Sequence, residues 1–159
     1  MTTGERQEKI KQFKNAGTNL EQALQNITGD EWSFHPKSNE WSINEIVQHL
    51  ADAEAMVYIR FRKGIAEPSQ PIFAFDDKEW SEDLHYDEQN PTDAVAVFKT
   101  LRHSTAKLLL LVPEDIWNTN TIIHPDMGAM TLDDMLTYYE KYTNDFISKI
   151  NSIHQHYKK

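Results

Sequence analysis

Few side chains in this chain could do chemistry, and their types limit which chemistry is open. There is no cysteine among the 159 residues, so a thiolate nucleophile, a disulfide framework and a Cys-based zinc site are all ruled out. Serine offers no better route. Ser42 and Ser81 lie at caps or beside acids, and no nucleophile elbow is present. What remains centres on Glu40–Glu54, EWSINEIVQHLADAE, which carries His49 and Glu54 on one helical stretch. Glu54 falls inside the apolar stripe, where a carboxylate costs several kcal/mol unless it is paired. It reads either as a general base with a raised pKa or as the salt-bridge partner of Arg60, Arg62 or Arg102. His49 sits at the edge of that face beside Ala53 and Met56, and with Asp52 three residues on could hold an ion weakly. The other candidates read blandly. His124 could point toward a cleft between the helices, but before Pro125 it reads as a turn residue, and His154 and His156 belong to a solvated tail. Asp76, Asp77, Glu79, Glu82 and Asp83 lack the glycine and spacing of a calcium loop.

The elements that must position these residues are helical. Ser42 with Glu45 forms a capping box, and Trp41 with Ile46 a hydrophobic staple, so a helix starts at 42 and its stripe continues through Val57 and Phe61 to about 63. Three more helices are predicted at about 5–27, 91–112 and 131–155, with apolar residues recurring at three and four residue steps. Thr28-Gly29 ends the first, Asn90-Pro91 starts the third, Pro113 stops it, and Thr131 with Asp134 caps the fourth. Four stripes are buried only by packing together, which makes residues 1–159 one all-α domain, a four-helix bundle. The connection 65–90 is long enough to act as a crossover between helices 2 and 3, letting them lie parallel or diagonal instead of hairpinning. No alternating strand pattern competes with the helical ones.

Charge and hydropathy set further bounds. Sixteen Lys and Arg against twenty-five Asp and Glu give a net charge of -9, which repels nucleic acid in the absence of a segregated basic patch. No apolar run approaches a membrane span, and the polar start MTTGERQEKI has no signal-peptide region, so a cytoplasmic protein is expected.

Taken together, Trp32 and Pro36, then Trp41-Ser42-Ile43 through Glu45-Ile46 to His49-Leu50-Ala51-Asp52, then Arg102, Trp117, His124-Pro125, Gly128, Thr131-Leu132 and Ile150 resemble the DinB and YfiT-like superfamily over nearly the whole chain. The resemblance implies a four-helix bundle with a three-histidine metal site, one ligand from helix 2 and a pair four residues apart on helix 4. His49 matches the first ligand; Tyr142 and Phe146 stand at the pair and are not ligands. The site is thus degenerate, with rings filling the vacated cleft formed by His49, Glu54, Tyr142 and Phe146. No cofactor is expected, and a divalent metal, zinc or nickel, is the minority case. Three functions follow. One is a metal-free bundle binding a small molecule or a partner. Another is a metal-dependent hydrolase or low-molecular-weight-thiol transferase with Glu54 and Tyr142 as candidate acid or base. The last is a homodimer joined through an apolar face around Phe73 to Trp80.

Overall fold

The structure is a computed structural model that describes all 159 residues. Four long helices carry the mass: α1 (Thr3–Leu24), α2 (Ile43–Ala66), α4 (Pro91–Leu109) and α5 (Leu132–Tyr157). Three of them open with a reciprocal capping box. Thr2 with Glu5, Ser42 with Glu45 and Thr131 with Asp134 each satisfy orphan N–H groups at both ends of the box. On α4 the Asn90 side chain accepts from the N–H of Thr92 while Pro91 fills the first turn. The box at Thr2 starts α1 earlier than its apolar periodicity predicts, and Ile27, expected inside α1, is buried beyond its end.

Around the bundle α1 packs on α4 and α5, and α2 on the same two, so α1 and α2 occupy one diagonal and α4 and α5 the other. Side-chain pairs give the directions. Arg6 reaches Asp133 and Lys9 reaches Glu140, so α1 and α5 run parallel. Asn44, at the start of α2, bonds the backbone just before α4, and Arg62 near its end bonds Ser104, so α2 and α4 are parallel neighbours. This is why the crossover is long.

The crossover is more structured than a loop. It contains β1 (Gln70–Pro71) and a short α3 (Asp77–Asp83), and Tyr86 is fully buried with its hydroxyl donating to Asp52 at 2.5 Å. After α4, β2 (Thr121–His124) and β3 (Gly128–Thr131) form an antiparallel hairpin, and β1 joins β2 in parallel, Gln70 opposite Ile122 and Pro71 opposite Ile123. No alternating pattern in the sequence announces these strands. These are two to four residues long, too short to show a period of two. Two further corrections concern ends. α2 continues past Gly64 to Ala66, and a Cβ on Gly64 would meet Leu132 at 2.9 Å, so that glycine serves close packing and not termination. The tail is not solvated at His154, whose Nδ1 hydrogen-bonds the buried carboxylate of Glu31. Of the face around Phe73 to Trp80, Phe73 is exposed while Phe75 packs on Trp80. No helix is long and apolar enough to cross a membrane.

At the centre lies Arg102 of α4, 1 % exposed. Its Nε donates to Glu54 Oε1 at 2.8 Å and one terminal nitrogen to Glu54 Oε2 at 2.5 Å and Thr143 Oγ1 at 2.8 Å, while the other donates to the carbonyl of Phe13 at 3.2 Å. Its guanidinium also lies 3.8 Å from the centre of the Phe13 ring. One side chain thereby touches all four helices. Removing one partner of such a pair strands a buried charge, whereas removing both does not. Arg102→Met is expected to lower the unfolding free energy by about 3–5 kcal/mol, and Glu54→Leu with Arg102→Met by less than the single change, both read by urea denaturation. A double variant no more stable than the single one counts against the pair's central role.

Candidate functional site

α2 and α5 run antiparallel, since His49 meets Tyr142 and Arg60 meets Tyr139. Between them a ring cluster closes over His49, which is wholly buried. Trp41 and Phe146 stand 4.8 and 5.0 Å from the imidazole centre, and Phe75 from the crossover and Tyr142 each 6.0 Å. His49 Nε2 and the Tyr142 hydroxyl are hydrogen-bonded at 2.5 Å. Burial pushes the Tyr142 pKa upward, with Asp77 adding to the effect, so the phenol keeps its proton and donates it to Nε2. The imidazole then carries its own proton on Nδ1, which has no hydrogen-bond partner and lies 4.0 Å from Asp77 Oδ1. Burial also drives the His49 pKa down to about 4, against the opposing pull of Asp52. At neutral pH this histidine is uncharged.

Beside the ring cluster opens a cleft of about 450 Å³. Ala53, Val57 and Arg60 of α2 form one wall at four and three residue steps, and Tyr138, Tyr139 and Tyr142 of α5 form the other. Phe75, Asp76 and Asp77 of the crossover and His124 at the end of β2 close the mouth. His124 Nδ1 accepts the backbone N–H groups of Asp126 and Met127, at 3.2 and 3.3 Å, so in the neutral ring the proton resides on Nε2. Burial, then Arg60, hold its pKa below the usual histidine value.

Of the residues picked out from the sequence, the structure brings His49, Tyr142 and Phe146 together but gives only Tyr142 a place on the cleft wall. Glu54 lies elsewhere, 1 % exposed in the bundle centre, where burial pushes its carboxyl up and Arg102 opposes that. Its partner is Arg102, not Arg60 or Arg62. A group so enclosed has no route to a substrate. Arg60, Tyr138 and Phe75 were not foreseen on the cleft. For Arg60 the spacing from Ala53 and Val57 is the available signal; nothing local in the sequence of a crossover says where Phe75 folds to.

The sequence pattern of the DinB superfamily matches residues 12–141. This chain belongs to the DinB superfamily. It is 27 % identical over 135 residues to YfiT of Bacillus subtilis, named a candidate metal-dependent hydrolase, covering 84 % of this chain and 75 % of that one. A relative from Oceanobacillus iheyensis with a name of the same kind is 25 % identical over 136 residues, 84 % of this chain and 77 % of its own. The solved YfiT structure, described as having an unusual four-helix bundle topology, superposes with a TM-score of 0.92 at 23 % identity, over 99 % of this chain and 90 % of that one. The fold is therefore that of YfiT.

The DinB resemblance implies a three-histidine metal centre, and the donors of this chain do not fit one. Phe146 has no lone pair, Tyr142 holds its proton, and the lone pair of His49 Nε2 is taken by the phenol. Replacement ligands are committed elsewhere: Asp52 accepts from Tyr86, Glu140 pairs with Lys9, and Asp145 with Lys141. No three His, Asp or Glu side chains converge, whereas a catalytic zinc site needs three protein ligands.

The buried neutral imidazole has a measurable consequence. Its folded pKa lies below the ordinary value of about 6.5, so the unfolded chain takes up a proton first as pH falls. The stability it confers is complete above pH about 6.5, declines as pH drops toward 4, and changes no further below that. The loss attributable to His49 is about 3 kcal/mol across this window. His49→Gln, which keeps a polar partner for the phenol, is expected to flatten the pH dependence of urea unfolding between 4 and 6.5; an unchanged slope shows the imidazole is not buried neutral.

Proposed function

We propose that this chain is a metal-free member of the DinB superfamily that binds a small molecule in the cleft between α2 and α5. The observation that carries the reading is the hydrogen bond between Tyr142 and His49 Nε2. It fills with a phenol the coordination position of the single histidine that matches a family ligand, and Phe146 removes the third donor. A cleft of about 450 Å³ falls in the size range of small-molecule sites, and it combines apolar walls with convergent polar and charged groups.

The names of the relatives favour a second reading, a metal-dependent hydrolase, to which the resemblance read from the sequence adds a transferase acting on a low-molecular-weight thiol. The two readings differ in metal. Protein purified without a histidine tag is expected to hold well under one zinc or nickel per chain by elemental analysis, and His49→Ala to change nothing; a stoichiometric metal lost in that variant overturns the metal-free reading. Conversely, Tyr142→His with Phe146→His is expected to create a site binding zinc or nickel by calorimetry, since both positions and His49 share one ring cluster. Binding of neither metal by the doubly substituted, folded protein shows that these three positions do not converge as ligands.

A further inference from the structure

Arg60 is the charge in the cleft that nothing else explains. It is 8 % exposed, yet no carboxylate pairs with it: one terminal nitrogen donates to the Tyr139 hydroxyl at 3.0 Å, the other to the carbonyl of Phe73 at 2.6 Å, and Nε has no partner at all. Both acceptors are neutral. A guanidinium has five donors and is always charged, so donors are left over and the charge is uncompensated. Burying a charge without its opposite is costly, and a ligand bringing the opposite charge would remove that cost.

The surroundings say what arrives. His124 lines the same cleft and is fixed by its two backbone hydrogen bonds so that Nε2 is the donor. The hydroxyl of Tyr138, on the opposite wall, makes no hydrogen bond within the protein. Acids are also present, but Asp76, Asp77 and Asp126 are exposed at the mouth, where water screens them, while the guanidinium lies inside, where its field is strong. A single negative charge therefore gains most beside Arg60, to which His124 is an electrostatic neighbour. A doubly charged phosphate ester would meet the acidic rim on the way in. The remaining wall is apolar and aromatic, from Ala53, Val57, Phe75 and the tyrosine rings.

We propose that Arg60 anchors the carboxylate of a small monocarboxylic acid with an aromatic or apolar body, with His124 as a second donor. This deepens the small-molecule reading above and rests on it. The fork of a guanidinium matches a carboxylate in two parallel hydrogen bonds, and charge-assisted bonds of this kind are the strong ones.

The probe is phenylacetate, measured on metal-stripped protein by ligand-observed NMR, beside phenylacetamide, which has the same shape without the charge, and phenethylamine, which reverses it. Phenylacetate is expected to bind saturably and about ten-fold tighter than phenylacetamide, with phenethylamine weaker still. Arg60→Met, checked for an unchanged circular dichroism spectrum, is expected to abolish the preference for the carboxylate, and Arg60→Lys to keep part of it. If phenylacetate does not bind, or the amide or the amine binds as well, the anchor is wrong, and the unmodified protein alone decides this should Arg60→Met fail to fold. Failure here on metal-free protein leaves the metal-free reading standing, whereas a stoichiometric metal found before stripping overturns that reading without bearing on Arg60.

Discussion

The bundle is organised around one buried ion pair. Arg102 and Glu54 are each 1 % exposed, and an isolated charge at such depth would not be tolerated. Their bidentate contact makes the burial possible, and the further bonds from Arg102 to the Phe13 carbonyl and Thr143 extend it to the two remaining helices. Apolar stripes alone permit the four helices to slide or exchange neighbours. A guanidinium with a partner on each helix does not, because a shift of one turn would leave a charge or a hydroxyl unsatisfied in the core. The arrangement of parallel neighbours α2 and α4 is specified by this polar contact as much as by hydrophobic area.

Two buried basic side chains on neighbouring elements thus have opposite fates. Arg102 has its carboxylate and is closed off; Arg60, on the same helix as Glu54, has only neutral acceptors and faces a cleft. His49 is a third case, a base made harmless by burial, wrapped in rings and bonded to a phenol. The α2–α5 seam separates these roles by a few turns of helix. At one end the rings close the seam, and at the other the tyrosines and the alanine at 53 leave it open.

The bundle was legible in the sequence because its signals are local and repeated. The Ser42–Glu45 box, the staple and the stripes are all written within a helix turn or two, and the box and the α2 stripe stand where the structure has them. The superfamily followed from residues spread along the chain. What escaped depended on partners distant in sequence. Glu54 was legible as a buried acid, but which of three arginines met it was not, since that choice is fixed by the packing of α4 on α2. β1 escaped because it forms only by pairing with β2 some fifty residues on, and the hairpin strands because four residues are too few to show a period of two. Arg60 stands in the sequence only as one possible partner of Glu54, and its lack of a carboxylate is a fact about everything around it.

The smallest element of the fold has a reach out of proportion to its size. β1 is two residues long, held to β2 by a short ladder whose flanking bonds run from the Ser69 N–H to Thr121 and from the Ile72 N–H to Ile123. That ladder joins the crossover, which carries Phe75 and Asp77, to the hairpin, which carries His124. The two sides of the cleft mouth are therefore one mechanical body. This body is anchored to the bundle by apolar side chains: Ile72, Ile122 and Met130 are buried in the same core as Phe61, Leu132 and Met135. The packing of the core thus sets, through a ladder of two residues, where Phe75 stands over the imidazole of His49 and where His124 stands on the cleft.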